Sequence, residues 1–576
     1  MIDVRILCKD WERKGGFMFR KYMLLLYFAA LLSFACSFTF ANVSLKNGNF
    51  FIAYSDLVYP GGIEPKVERV YNSKSSHDGI FGFGWGSDYE VYLTPLADGS
   101  VVVHENGGGA HNRFTPPAIN ASEIDKAVEM MLTAKKSTGL SAGAMEAEKQ
   151  RLRNDARYRT DEWERLYVKK LVKAREVAPG TVLKSNKYSF QTIQKVKEGY
   201  MRRFDNGQAQ LFNNDGKCVR VSDRNGNYLA LTYDKTGHLA TFQDNLNRRM
   251  KFKFNSQGKV VRVDGDSGKV TTYDYKGNEL VFSKDTAGNE YRYKYSGNGR
   301  HNLVEIKYKD NTTMQMGFFD LTKCENVNWV KDRDGTLSEY TYTGDCVSGL
   351  EHSTTVVVKG SDGKEVSKSK YEYVEKIKLD GERYTYKLSS EVDGDKTVTI
   401  YNECCGLPLE IAHNGEKTTF EYDTKGHVTK KMTPAEVTDL EYDSKTSKVS
   451  KVVKYSKSDA SKKSVKWAQY QYDEKGNLSY AKNSEGKGVK IVYDHYGRIK
   501  ALVDQDKRRL EFTYNEASRP VEIRDPSVGK IQVQYTNTGE IKKVDSSGGR
   551  KIALQVTSAF QNLLEIIRPA GVTLAY

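Results

Sequence analysis

Two acidic clusters are the first candidates for chemistry. Asp332-x-Asp334-Gly335 and Asp264-Gly265-Asp266 have the spacing with which a calcium loop begins. Neither has the later ligands and distal Glu that complete an EF-hand loop, so both read as turns built from Asp and Gly. The nine His residues are scattered, with no H-E-x-x-H. The cysteines form no C-x-x-C pair, which argues against a zinc site. There is no G-x-S-x-G elbow and no P-loop, so no residue set for acyl or phosphoryl transfer can be named. Gly82, Gly84 and Gly86 lack the strand-to-helix setting and the later acidic partner of a dinucleotide fingerprint. The expectation is a chain without catalytic, metal or cofactor residues.

What recurs at fixed spacing is structural. Tyr472, Tyr493, Tyr514 and Tyr535 are 21 residues apart. Three of them open a turn: YDEKGNL, YDHYGRI and YTNTGEI. The fourth reads YNEASRP, with Ser518 where the others have Gly476, Gly497 and Gly539. Asn483, Asp504 and Asp525 mark a second turn at the same step. Between the turns apolar residues alternate: Val489, Ile491, Tyr493; Ile499, Ala501, Val503; Leu510, Phe512, Tyr514; Val521, Ile523; Ile531, Val533, Tyr535. Period 2 is the pattern of a strand with one buried face. Each unit therefore holds two strands and two turns. Asp473 and Asp494 can bond their own turn backbone, and Gly accepts positive φ. The tyrosines of neighbouring units are expected to form a cross-strand aromatic ladder.

These units resemble the YD repeats of the RHS family, which includes bacterial polymorphic-toxin shells, wall-associated proteins and the shell of animal teneurins. The resemblance implies a spiral β-sheet that closes into a hollow cocoon. Phe212 to Gly216, Tyr233-Asp234-x-x-Gly237 and Phe254 to Gly258 keep the step, as do Asp223 and Asp244. Residues 296–416 are less regular, and Tyr422-Asp423-x-x-Gly426 and Tyr442-Asp443 restart clear units. The last unit ends at Tyr576. Asn47-Gly48-Asn49-Phe50, Asp56, Arg69-Val70-Tyr71-Asn72-Ser73 and Phe83-Gly84-Trp85 resemble the domain that opens many RHS proteins. Trp85 and Tyr71 are read as core and Arg69 as a loop tie. Toxin-bearing members end their shell with a DPxGL-type motif and cleave themselves there. Here Asp525-Pro526 runs into Ser527-Val528-Gly529 and further repeats, which argues against a self-cleaving toxin carrier.

Residues 18–41 read as a secretory signal: Arg20 and Lys21, an apolar run over 23–34, and small residues before Asn42. Cys36 sits in a poor lipobox. Export permits disulfides. Cys324 and Cys346 are 22 apart, nearly one repeat, and equivalent positions of successive units neighbour each other in a wound sheet. That pair is the candidate disulfide. Vicinal Cys404-Cys405 is unplaced, and an odd thiol remains. Residues 118–178 break the β pattern. Ile124, Ala127, Val128, Met131 and Leu132 keep helical spacing, with Ser122 and Asp125 as a capping box. Met145, Leu152, Ala156, Trp163, Leu166 and Leu171 follow as a second helix. An inserted helical hairpin is expected, plugging the mouth of the shell or projecting to a partner.

Tyr (37) and Gly (48) are frequent and Pro (11) is scarce, as many strands and tight turns require. The formal charge is +15. The Lys residues are spread over outward strand positions, which fits solvation and edge protection better than a nucleic-acid site. The expected architecture is mainly β: 1–41 extension and signal, 42–117 opening β domain, 118–178 helical insertion, and 179–576 repeat shell. The expected role is an exported, non-enzymatic shell that is structural or adhesive at the cell envelope, touching glycans or proteins there. The alternative is a shell around a separately encoded toxin or other cargo.

Overall fold

The computed structural model describes residues 40–556, apart from 62, 106–109, 117–120, 138, 140, 186–189, 298, 347–348, 379–382, 404–405, 460–464, 537–540, 548–551 and 553–554. Most of the expected signal, Cys36, the Cys404-Cys405 pair, Gly539 and the terminal repeat boundary at Tyr576 lie outside the described residues.

The chain begins with a small sheet. Strands β1 (Phe40–Val43), β2 (Phe50–Val58), β3 (Lys66–Asn72) and β6 (Trp85–Gly86) pair in that order. β4 (Asp78–Gly79) and β5 (Gly82–Phe83) form a two-stranded ribbon. From β7 (Tyr92–Pro95) to β42 (Ile541–Ser546) runs one antiparallel sheet of 36 strands. Its strands pair in chain order, each with the next, as in the registers that join Tyr480 to Lys490 and Val503 to Arg509. The fold is mainly β and spiral in connectivity, with every connection a local hairpin except the helical detour. Most strands are short and bury alternate residues. In Arg249–Phe254, Met250 and Phe252 are buried and Arg249, Lys251 and Lys253 are exposed, which is the pleat read directly.

The sheet winds back on itself. Tyr92 bridges Lys217, and the Leu93 N–H donates to the Gly216 carbonyl at 2.8 Å. Gly216 is left-handed (φ +80°), and a Cβ there would meet the Leu93 oxygen at 2.0 Å. Only glycine fits this seam. Strands from Tyr92 to Phe212 thus enclose a core of Val101, Val103, Phe114, Leu183, Ile193, Tyr200, Phe212 and Cys218. A second seam joins turns some 250 residues apart. Asn477 donates to Asn225 at 2.8 Å, and Asn227 donates to the Tyr496 carbonyl at 2.8 Å.

Two further cores lie on the same apolar face of the sheet. The N-terminal sheet packs Ile52, Tyr54, Tyr71 and Trp85 onto Leu231, Phe242, Tyr273, Tyr293 and Ile306. At the other end Ile491, Leu502, Ile523 and Val533 pack around Ile552 and Val556 from the chain beyond β42. Between them, β26 (Glu351–Lys359) through β33 (Glu436–Tyr442) carry on the same face, with Thr354, Val356, Tyr373, Phe420 and Thr438 buried and Tyr371, Ser390 and Thr397 half-buried.

The insertion holds three helices rather than a hairpin: α1 (Ala121–Ser137), α2 (Ala142–Asn154) and α3 (Ala156–Val168). The expected second helix breaks at Asp155, whose carboxylate caps α3 by accepting the Tyr158 N–H. Ser122 lies inside α1, and Asp125 pairs with Arg153 at 2.8 Å instead of capping. Leu152, Trp163 and Leu166 bury against Leu96 and Val102. Val102 points away from Val101 and Val103, so the helices cover the outer face of the sheet. They neither plug the mouth nor project. Leu171 lies past the end of α3 and is exposed. The strands Tyr92–Pro95, Val101–Glu105 and Ala110–Thr115, expected within the opening domain, belong to the large sheet.

Register makes a direct test possible. Leu502 is buried opposite Ile491, and Lys490 is on the wet face. Leu502→Ala is expected to lower unfolding free energy by about 2–5 kcal/mol, and Lys490→Ala by under about 0.5 kcal/mol. Equal effects in urea melts would mean that the faces are misassigned.

Candidate functional site

The signature residues form the turns and the seams between hairpins. After Tyr493, Asp494 accepts the Tyr496 N–H at 3.0 Å and the Arg498 N–H at 2.9 Å. Asp473 does the same for Lys475 and Asn477, Asp423 for Lys425 and His427, and Asp234 for Thr236 and His238. Gly237, Gly426, Gly476 and Gly497 take φ between +79° and +90°. Ser518 takes the glycine position at φ +58°, a strained choice for a residue with a side chain. Asn483 and Asp504 build the second turn of each unit in the same way.

Each of these tyrosines closes a bulge. Tyr472 pairs with Leu478, Tyr493 with Ile499 and Tyr514 with Pro520, in each case after a register shift. The hydroxyl of the next tyrosine then donates to that partner's carbonyl. Tyr493 reaches Leu478 at 3.0 Å, Tyr514 reaches Ile499 at 2.8 Å and Tyr535 reaches Pro520 at 2.9 Å. Tyr233 and Tyr422 bond the carbonyls of Cys218 and Pro408. The tyrosines are thus linked by hydroxyl and carbonyl, with a strand between each pair. The expected ring-on-ring ladder is absent among the described residues, because Tyr493 and Tyr514 stand two strands apart. The bulge also shifts the alternation. Leu502 rather than Val503 faces Ile491, since two residues oppose one at the bulge.

Arg69, Tyr71 and Trp85 are all fully buried. Arg69 Nε binds Asp56 at 2.7 Å, and its Nη2 donates to Ser283 Oγ at 2.7 Å and Tyr293 Oη at 2.8 Å. Tyr273 Oη donates to the same carboxylate at 2.8 Å. The guanidinium lies 4.6 Å from the Tyr54 ring centre and 4.7 Å from that of Trp85. Trp85 Nε1 donates to Tyr295 Oη, and Tyr71 Oη accepts the Leu303 N–H. Arg69 is therefore more than a loop tie: it locks the N-terminal sheet to the shell. Its shell partners escaped sequence reasoning. The alternation Tyr291-x-Tyr293-x-Tyr295 was the available signal, since it adds inward tyrosines ahead of the turn tyrosine.

Cys324 and Cys346 are bonded, with Cα atoms 6.3 Å apart, and they join two loops rather than two strands. Cys218 is a buried free thiol, pushed up to about 12 by burial. Among the described residues no three His, Cys, Asp or Glu side chains gather as a metal site, and no helix is long and apolar enough to cross a membrane.

Residues 41–114 match the family model for a domain of unknown function, DUF6531. Residues 451–575 match the model for the teneurin YD-shell. Over these residues the chain is similar to the RHS/YD-repeat shells that its turns resemble. The YD turns and tyrosine bonds extend that shell back through Tyr422 to Tyr233. No curated protein matches the sequence. Among solved structures, a Tc holotoxin pore from Photorhabdus luminescens is 10% identical, covering 88% of this chain and 28% of that one, with a TM-score of 0.42. A TcdB2-TccC3-Cdc42 structure is 9% identical over 89% and 34%, with a TM-score of 0.40. The chain spans about a third of the length of these structures.

Burial pushes the hydroxyls of Tyr472, Tyr493 and Tyr514 up to about 12. Raised values favour the protonated form in the folded state. The stability they contribute is complete below pH of about 10 and is lost as pH climbs towards 12. Tyrosinate absorbance is expected to lag behind an unfolded control and to rise together with loss of strand signal. Tyr493→Phe, which strands the Leu478 carbonyl, is expected to cost about 1–3 kcal/mol. Free titration near pH 10 with the sheet intact, or a neutral Tyr493→Phe, would refute the bonded-tyrosine account.

Proposed function

We propose that the protein is an exported, non-enzymatic shell whose inner face holds a polypeptide cargo. The observation that carries this is the contrast along that face. Where the chain covers it, the residues are large, apolar or aromatic, and buried, as with Phe242, Tyr273 and Ile306 at one end and Ile491, Leu502 and Ile523 at the other. From Glu351 to Tyr442 it turns to threonine, serine and tyrosine, with Thr354, Tyr373, Thr399, Phe420 and Thr438 buried and Tyr371, Leu388, Ser390 and Thr397 half-buried. The registers align His352 with Tyr373, Leu388 and Thr399 across four strands, and Thr354 with Tyr371, Ser390 and Thr397 beside them. Phe420 and Thr438 continue the face. Aromatic rings with hydroxyls suit contact with polypeptide, since they combine apolar area with adaptable hydrogen bonding. The supporting features are the family's shell architecture and the sealing of both ends of this face by the chain itself.

Shell recovered from the exported fraction of its own cells, treated with protease and weighed by native mass spectrometry, is expected to retain a second polypeptide. Tyr371→Arg with Thr397→Arg, at half-buried positions of the same face, is expected to release it with strand content unchanged. Recovery of empty shell that binds envelope glycans would replace this reading with the adhesive one, for which the spread of outward Lys residues is the supporting feature.

Export rests on the signal pattern of residues 18–41. N-terminal sequencing of the exported protein is expected to read Asn42-Val43-Ser44. An intact N-terminus in cytoplasmic protein would sink this part of the proposal.

A further inference from the structure

We propose that the Cys324–Cys346 disulfide is a redox-labile clamp that holds one edge of the N-terminal sheet against the shell, and that its reduction frees that edge alone. Cys324 follows a single 3-10 turn, Leu321–Lys323, that Asp320 caps through the Thr322 N–H. Cys324 and Glu325 are both left-handed, at φ +54° and +52°. Two successive non-glycine residues in that region are disfavoured without an outside constraint.

From this kink the loop grips the N-terminal sheet. The Cys324 carbonyl and Asn326 Oδ1 both accept from Lys74 Nζ, the latter at 2.8 Å. The Val327 N–H donates to the Gly48 carbonyl at 3.0 Å. Gly48 is pressed so close that a Cβ there would lie 2.4 Å from that of Asn326. Glu325 also pairs with Arg300 at 3.3 Å. Other ties do not involve the cysteines: the Leu45 carbonyl accepts from Thr354 Oγ1 at 2.6 Å, Lys46 pairs with Glu375 at 2.6 Å, and Arg69 and Asp56 sit deep between the sheets.

The two cysteines differ in access. Cys346 is exposed and Cys324 is half-buried. A thiolate of a dithiol reductant can therefore attack Cys346 Sγ. The S–S bond breaks, and Cys324 leaves as a thiolate and takes up a proton. The reductant's second thiol then displaces Cys346, which also becomes a thiol. The protein gains two electrons and two protons, and the dithiol loses the same to become a disulfide. Exposed disulfides are the reducible ones. Once freed, Cys324 and Glu325 can relax from the left-handed region, and the Cys324 carbonyl moves away from Lys74.

The test is hydrogen exchange on the full chain, oxidised and after dithiothreitol, with Cys324→Ser/Cys346→Ser as the second arm. Residues 47–50 and 72–76 are expected to exchange at least about tenfold faster when the bond is absent. Residues 54–58 and 67–71, beside Arg69 and Asp56, are expected to keep their rates. If the double variant does not fold, the reduced parent gives the same reading. Unchanged rates after verified reduction would overturn the clamp. So would equal acceleration in all four segments, or two free thiols at these positions in the exported protein.

Discussion

A sheet that turns at every hairpin must still pair its backbone. Each bulge takes one residue out of the ladder, and the opposite carbonyl needs a donor from elsewhere. Here the donor is the hydroxyl of the following tyrosine. Leu478 is served by Tyr493, Ile499 by Tyr514 and Pro520 by Tyr535. The bond ties one hairpin to the next across the strand between them. The condition is a tyrosine two strands after each bulge rather than a fixed residue count, because across the longer step from Tyr442 to Tyr472 the Tyr472 hydroxyl still reaches the carbonyl of Val449, the bulge partner of Tyr442, at 2.6 Å. The same condition explains why Pro520 is tolerated. It stands at the first position of its strand, where a missing N–H costs no ladder bond.

The ends of the sheet obey a different rule. A long apolar face needs cover, and the chain supplies it at both ends. At the first end the cover is a separate sheet, and a charged pair lies within the contact. Burying Arg69 and Asp56 would be costly if either were left alone. Their partners come from both sides: Asp56 from the N-terminal sheet, and Ser283, Tyr273 and Tyr293 from the shell. Tyr54 and Trp85 place their ring faces over the guanidinium. A misplaced N-terminal sheet would forfeit the bonds to Ser283, Tyr293 and Tyr273 together, so the pair specifies position as well as attachment. At the other end Ile552 and Val556 do the covering with apolar contact only.

The repeat was legible because it is local. Tyr-Asp-x-x-Gly states its own turn, and period 2 states the strand. The turn roles of Asp234, Asp423, Asp473 and Asp494 follow from short-range chemistry. What was not legible came from distance or from a broken rule. Val503 alternates with Ile499 on paper, yet the bulge puts Leu502 inward, and a bulge is invisible to a strict period. Asp155 interrupts a helical stripe that looks continuous through Trp163, because apolar spacing survives a cap. The outer-face position of the helices depends on Val102 pointing away from Val101, which is set by a strand that precedes the insertion. The shell partners of Arg69, Ser283 and Tyr293, lie more than 200 residues along the chain, and no local pattern pairs them.

The middle of the inner face shows the two constraints acting together. Strands from Glu351 to Tyr442 must keep the hairpin geometry, and there the Leu45 carbonyl accepts from Thr354 Oγ1 at 2.6 Å, while no apolar cluster like those around Trp85 and Val556 forms over them among the described residues. An aliphatic face left in this state would expose a continuous apolar patch. The residues there are instead Thr354, Tyr371, Tyr373, Ser390, Thr397 and Thr399. Threonine and tyrosine keep the β preference that the strands need, and their hydroxyls can be satisfied by water when nothing else is present. Such a face stays folded when bare and can exchange water for a partner's polar groups when occupied. An inner surface that must be wet at one time and filled at another would be built this way, with threonine and serine among its tyrosines, whereas the ends that the chain itself closes are packed with Phe242, Tyr273 and Ile306 or with Ile491 and Leu502.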